Sequence, residues 1–121
     1  MGTIQVDVHL YGPLARYGGK EGSRSHAQLE ISLAVGKRMH DLLEYLGMPM
    51  EERGITFING ILCALPGIQS DLNHILKDGD RVAFFHQKSM WPFQYRDGAA
   101  VTSALEEDLH KINRSFHHRS P

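Results

Sequence analysis

The sequence has little sulfur chemistry to offer. Its one cysteine, Cys63, cannot close an internal disulfide, and it leaves no thiolate set for zinc or an iron–sulfur cluster. A surplus of positive charge is also missing, with 13 Lys+Arg against 14 Asp+Glu. Nucleic acid and anionic membranes both require clustered basic residues, so neither is expected as a partner. No apolar run nears the ~20 residues needed to cross a bilayer. No basic, apolar, small-residue stretch opens the chain, so no secretory signal is read and a soluble cytoplasmic protein is expected. Without secretion, the acceptor-like Asn113-Arg114-Ser115 carries no weight. P-loop and Gly-x-Gly-x-x-Gly patterns are absent, as is any recognisable nucleophile–base pair. No enzyme activity and no cofactor are therefore expected.

What is present is hydrophobic periodicity. Residues 3–11 alternate, with Ile4, Val6, Val8 and Leu10 on one face and Gln5, Asp7 and His9 on the other, which predicts a half-buried strand. Gly12-Pro13 ends it, and a glycine-rich loop follows, with a helical turn expected at Leu14–Tyr17. Residues 27–35 alternate again, predicting a second strand in an antiparallel hairpin. The period then changes. Met39, Leu42, Leu43 and Leu46 form one stripe of a helix within 37–47, with Gly47 placed as a left-handed stop before Pro49. Asn59-Gly60 between two apolar runs predicts a type I′ hairpin, because both central residues need positive φ. A further helical turn is expected at Leu72–Leu76. Asp78-Gly79-Asp80 turns the chain into a last strand, "RVAFF". The order describes an α+β roll, with the first and last strands central and parallel.

The tail has its own pattern. Val101, Leu105, Leu109, Ile112 and Phe116 form a stripe on a helix expected from about 102 to about 116. Thr102 or Ser103 is placed to cap it, and Ser103 with Glu106 fits a capping box. Acidic residues come first and basic ones later, matching the helix dipole. Such a helix is too short to stand alone in water. Its stripe is expected to pack on the domain, on a second copy, or on a partner.

The stretches "IQVDVHLYGPLARYGG", "INGILCAL" and "LKDGDRVAFF" together resemble the MoaD/ThiS family of ubiquitin-like β-grasp sulfur carriers. The resemblance covers about residues 3–90. It implies a β-grasp roll, a mixed sheet of four to five strands with one packed helix, over 1–90. Residues 91–121 would add an aromatic linker and the amphipathic helix. The resemblance also implies a chemistry. A flexible tail ends in Gly-Gly, an adenylating enzyme activates its carboxylate, and sulfur replaces AMP to give a thiocarboxylate used in molybdopterin or thiazole synthesis. Bare glycine backbone suits a narrow channel into an ATP site.

Here Met90-Trp91 stand where those glycines would be, with no carboxylate beside them. The sulfur-carrier role therefore does not carry over at these positions. The first expectation is a non-catalytic binding or accessory module. By resemblance, its partner is an adenylating enzyme or a molybdenum- or tungsten-cofactor protein. The sheet face and the segment 90–98 are the expected contact, through Phe85, Met90, Trp91, Phe93, Tyr95 and Arg96. An alternative is a precursor cut after Gly98, the one glycine downstream, to expose a new carboxylate. A third reading is a homodimer through the tail helix. The eight histidines show no metal-ligand spacing: His117 and His118 diverge on a helix, and no further ligand follows at i+4. Cys63 reads as a buried, inert thiol.

Overall fold

The structure is a computed structural model and describes residues 2–21, 26–88 and 100–119. It is an α+β fold built on a five-stranded mixed sheet. Strand β1 (Thr3–Tyr11) pairs antiparallel with β2 (His26–Ala34), joined through a 3-10 segment, Gly12–Glu21, that kinks at Gly19. Helix α1 (Met39–Leu46) follows, then the hairpin β3 (Arg53–Ile58) and β4 (Ile61–Ala64). Strand β5 (Arg81–His86) enters the middle of the sheet, and helix α2 (Ser103–Arg119) ends the described chain. The sheet order is β2-β1-β5-β3-β4. Strands β1 and β5 run parallel, with Val8 opposite Val82 and Leu10 opposite Phe84.

Local chemistry fixes these elements. Asn59 and Gly60 take φ 53 and 81, the doubly positive pair of the expected type I′ turn. The Asn59 side chain holds the turn to β5, donating to Asp80 Oδ1 at 3.0 Å and accepting from the Arg81 N–H at 2.9 Å. Helix α1 begins where the Arg38 N–H donates to Asp41 Oδ2 at 2.8 Å. It stops at Gly47, φ 70, with the Met48 N–H reaching back to Leu43 O. At Gly54 an added Cβ would lie 2.7 Å from His86 O, so only glycine lets β3 pass β5 at their register shift.

The sheet has two apolar faces of unequal extent. On one, Val6, Val8 and Leu10 of β1, Ile31 of β2 and Phe84 of β5 pack against Met39, Leu42 and Leu43 of α1. Burying each such side chain contributes about 1.5–3 kcal/mol. On the other, Ile55 and Phe57 of β3 and Leu62 of β4 pack against Leu105 of α2, with Phe85, Val101 and Leu109 around them. Strand β3 is thus buried at every position, whereas β1 alternates between buried and open. That difference marks how far α2 reaches. It covers the β5–β3–β4 side, and no β1 or β2 side chain joins its cluster among the described residues.

Three local expectations differ from the structure. Leu72–Leu76 is expected as a helical turn and forms turns plus a bridge. Its carbonyls are spent elsewhere: Leu72 O and His74 O accept the His40 and Met39 N–H groups at the start of α1. Val101 is expected to extend the apolar stripe of the tail helix just ahead of its start and instead bridges in parallel to Leu62, while the Leu62 N–H donates to Ala100 O and the Thr102 N–H to Leu62 O. The cap is consequently Thr102, whose Oγ1 accepts the Leu105 N–H at 3.3 Å. The 3-10 segment also runs well beyond the turn expected at Leu14–Tyr17.

Candidate functional site

The β1–β2 side of the second face carries polar and aromatic side chains. Alternation along β1 sends Gln5, Asp7, His9 and Tyr11 to this face, because Val6, Val8 and Leu10 take the other. The parallel β5 adds Arg81, Ala83 and Phe85 beside them. Tyr11 and Phe85 stack with centroids 4.6 Å apart and planes 7° from parallel, and Phe85 meets the edge of Phe57 at 6.0 Å. His26 of β2 continues the row, with its ring 4.8 Å from Tyr11. A ridge of rings therefore crosses β3, β5, β1 and β2.

An open groove of about 520 Å³ runs beside this ridge, lined by Tyr11, Phe57, Gly60, Gly79, Arg81 and Phe85. Arg81 leaves 69% of its side chain in solvent and lies 3.4 Å from Asp7 Oδ2 through Nε. Asp7 is the polar hub. It accepts from Gln28 Nε2 at 3.1 Å and from His9 Nε2 at 3.1 Å. Burial acts to raise its pKa, but the Gln28 and His9 hydrogen bonds and the charges of His9 and Arg81 outweigh it, so the carboxyl sits below its usual range. A second groove, of about 490 Å³, is lined by Gln5, Asp7, Gln28, Glu30 and Gly79. The face thus offers apolar rings, one exposed cation and neighbouring carboxylates. Aromatic residues and arginine are the types enriched at protein–protein interfaces.

A buried network beneath the other end of the sheet is structural. Arg53 at the start of β3 donates to both carboxylate oxygens of Asp71, at 2.6 and 2.8 Å, and to Gln69 Oε1 at 2.9 Å. Both charged side chains are almost wholly buried. Cys63 Sγ has two acceptors within reach of its single S–H, Asp71 Oδ2 at 3.2 Å and Thr56 O at 3.3 Å. Burial and then the Asp71 charge push the thiol far up its scale, so Cys63 has no thiolate to offer. Near the end of β5, Glu52 accepts from Tyr17 Oη and Arg16 Nη2, and His86 Nε2 lies 3.7 Å away. That cluster ties the 3-10 segment to the last strand.

Of the residues expected to contact a partner, Phe85 is half-buried between Tyr11 and Phe57 and lines the groove. Met90, Trp91, Phe93, Tyr95 and Arg96, and the processing candidate Gly98, lie outside the described residues. The tail stripe is divided: Leu105 is fully buried on the sheet, Leu109 is half-buried, and Ile112 is 37% exposed. Sequence reasoning passed over Tyr11, His26 and Arg81. Their signal is the register, which sets Tyr11 opposite His26 and Asp7 opposite Arg81. Among the described residues no group of three or more His, Cys, Asp or Glu is placed to hold a metal ion, and no helix is long and apolar enough to cross a membrane. No protein-family model matches the chain, and no curated protein is significantly similar to it.

Proposed function

We propose that this chain is a non-catalytic β-grasp module of the MoaD/ThiS type that works by binding a protein partner through the Tyr11–Phe85 sheet face. The topology supports the β-grasp reading: a mixed sheet with β1 and β5 parallel at its centre and α1 laid across one face. The observation that carries the binding reading is the unequal cover of the second face. Among the described residues, helix α2 covers the β5–β3–β4 side, Phe57 included, and does not cover Tyr11, Arg81 or the groove beside them. An adenylating enzyme or a molybdenum- or tungsten-cofactor protein is the partner class, on the strength of the sequence resemblance.

A carrier precursor cut after Gly98 would lose Leu105, which is fully buried against Ile55, Phe57 and Leu62. A carrier that surrenders part of its core on maturation is the costlier arrangement, and this favours the binding reading. The test is calorimetric titration of the full chain against the adenylating enzyme and the cofactor proteins of the same cell. Saturable binding is expected that weakens roughly tenfold or more with Arg81→Glu, as loss of an interface arginine does, and that persists with Tyr45→Ala on the exposed face of α1. Binding indifferent to Arg81→Glu, or adenylation of the chain by the enzyme, would overturn the reading.

A further inference from the structure

We propose that the open edge of β2 pairs with the same edge of a second copy, giving a two-fold dimer with one sheet running through both chains. The Val35 N–H donates to Gly2 O at 3.1 Å, and from there β1 and β2 pair without a shift as far as Tyr11 and His26. Hydrogen-bonded pairs alternate along an antiparallel ladder, so Leu33, Ile31 and Leu29 spend their backbone groups on β1. Ser32, Glu30 and Gln28 turn theirs outward, and no backbone partner meets the N–H groups of these three among the described residues. Such an edge is a template for another strand, and natural edges are blunted by Lys, Pro, bulges or short length. Strand β2 is nine residues long, holds neither Lys nor Pro, and carries no bulge against β1.

The edge is complementary to itself when the two-fold axis passes through Ile31. That register sets Ile31 against Ile31 and Leu29 against Leu33 of the second copy, all on the core face. Leu29 is only half-buried in the single chain, so the seam covers apolar surface. On the open face Glu30 falls opposite Ser32 of the second copy. The Ser32 hydroxyl accepts from Gln5 Nε2 at 2.6 Å, which leaves its O–H to donate to that carboxylate. A register centred on Glu30 would instead set two carboxylates against each other. At the opposite edge of the sheet, Ala100 O and the Thr102 N–H occupy the outward groups of Leu62. Each chain therefore offers one long open edge, and pairing closes at two copies.

An edge-to-edge seam is smaller than the ~1,600 Å² of a standard interface, so a reversible dimer is expected. The test is sedimentation equilibrium of the full chain over a wide concentration range, with amide hydrogen exchange as a second readout. A monomer–dimer equilibrium is expected, and the Glu30 and Ser32 amides should exchange more slowly as the dimer fills. Ser32→Pro removes only an outward N–H, so it should keep the fold and weaken the dimer roughly tenfold or more. Ser32→Asp sets a carboxylate against Glu30 of the second copy and should weaken the dimer several-fold. Adding Glu30→Lys to Ser32→Asp should restore it. A chain that stays monomeric throughout, or a dimer indifferent to both Ser32→Pro and Ser32→Asp, would overturn the proposal. So would a dimer whose Glu30 and Ser32 amides exchange as fast as those of the monomer.

Discussion

Leu62 and Val101 are bridged in parallel at the edge of the sheet, although 39 positions separate them in the chain. The bridge returns the chain to β4 before α2 begins, and it aims Leu105 at Ile55, Phe57 and Leu62. The C-terminal helix is thereby part of the domain's second core, and its first turns are not spare surface.

Leu105 should behave as a core residue. It is 0% exposed, and truncating it leaves a cavity under α2. Leu105→Ala is expected to cost about 2–5 kcal/mol in urea unfolding. Truncation after Gly98 should lower stability further and increase dye binding to exposed apolar surface. A variant as stable as the parent would mean that α2 does not pack as described.

The Arg53–Asp71 pair should be intolerant of losing one partner. Asp71→Asn leaves a buried guanidinium without its countercharge, for which about 3–5 kcal/mol is expected. Arg53 Nε has no hydrogen-bond partner among the described residues, and the guanidinium's remaining acceptors, Gln69 Oε1 and Thr56 Oγ1, carry no countercharge. Denaturant midpoints of Asp71→Asn and of the Arg53→Met, Asp71→Leu double variant check this. The double variant should recover much of the loss, because no lone charge remains.

Much of this architecture is legible in the sequence, and the exceptions share a cause. Alternation at Ile4–Leu10, the stripe at Met39–Leu46 and the Asn59-Gly60 turn are local signals, and each yields its expected element. Leu72–Leu76 misleads because its carbonyls cap α1 from a distance. Val101 fits the helical stripe but is held by the sheet edge. At the candidate site Phe85 is legible from its place at the end of the last strand. Tyr11, His9 and His26 are not, since only pairing across strands turns separate polar-face residues into one ridge.

Cys63 should be unreactive until the protein unfolds. It is 1% exposed and its single S–H has Asp71 and Thr56 within reach. Iodoacetamide at neutral pH is expected to leave the folded chain unmodified and to alkylate it in concentrated denaturant, read by mass. Rapid labelling of the folded protein would contradict the buried network.

Acid should loosen the Glu52 cluster. Tyr17 Oη first, then the Arg16 guanidinium, hold the Glu52 carboxyl below its ordinary 4.5. A depressed folded pKa gives stability that is fully present above 4.5 and is lost as pH falls through the lower folded value. Unfolding midpoints of the parent and of Glu52→Gln should differ by a constant amount well above pH 4.5 and converge as the pH falls below it. A gap that widens in acid would contradict the assignment.

The central claim is that this chain binds through its folded, full-length form and does not mature into a sulfur carrier. Intact mass of the protein isolated from the cells that make it tests this most directly. The account predicts a chain retaining Leu105 and the rest of α2. A species ending at Gly98, heavier than its carboxylate by the difference between sulfur and oxygen, would contradict it.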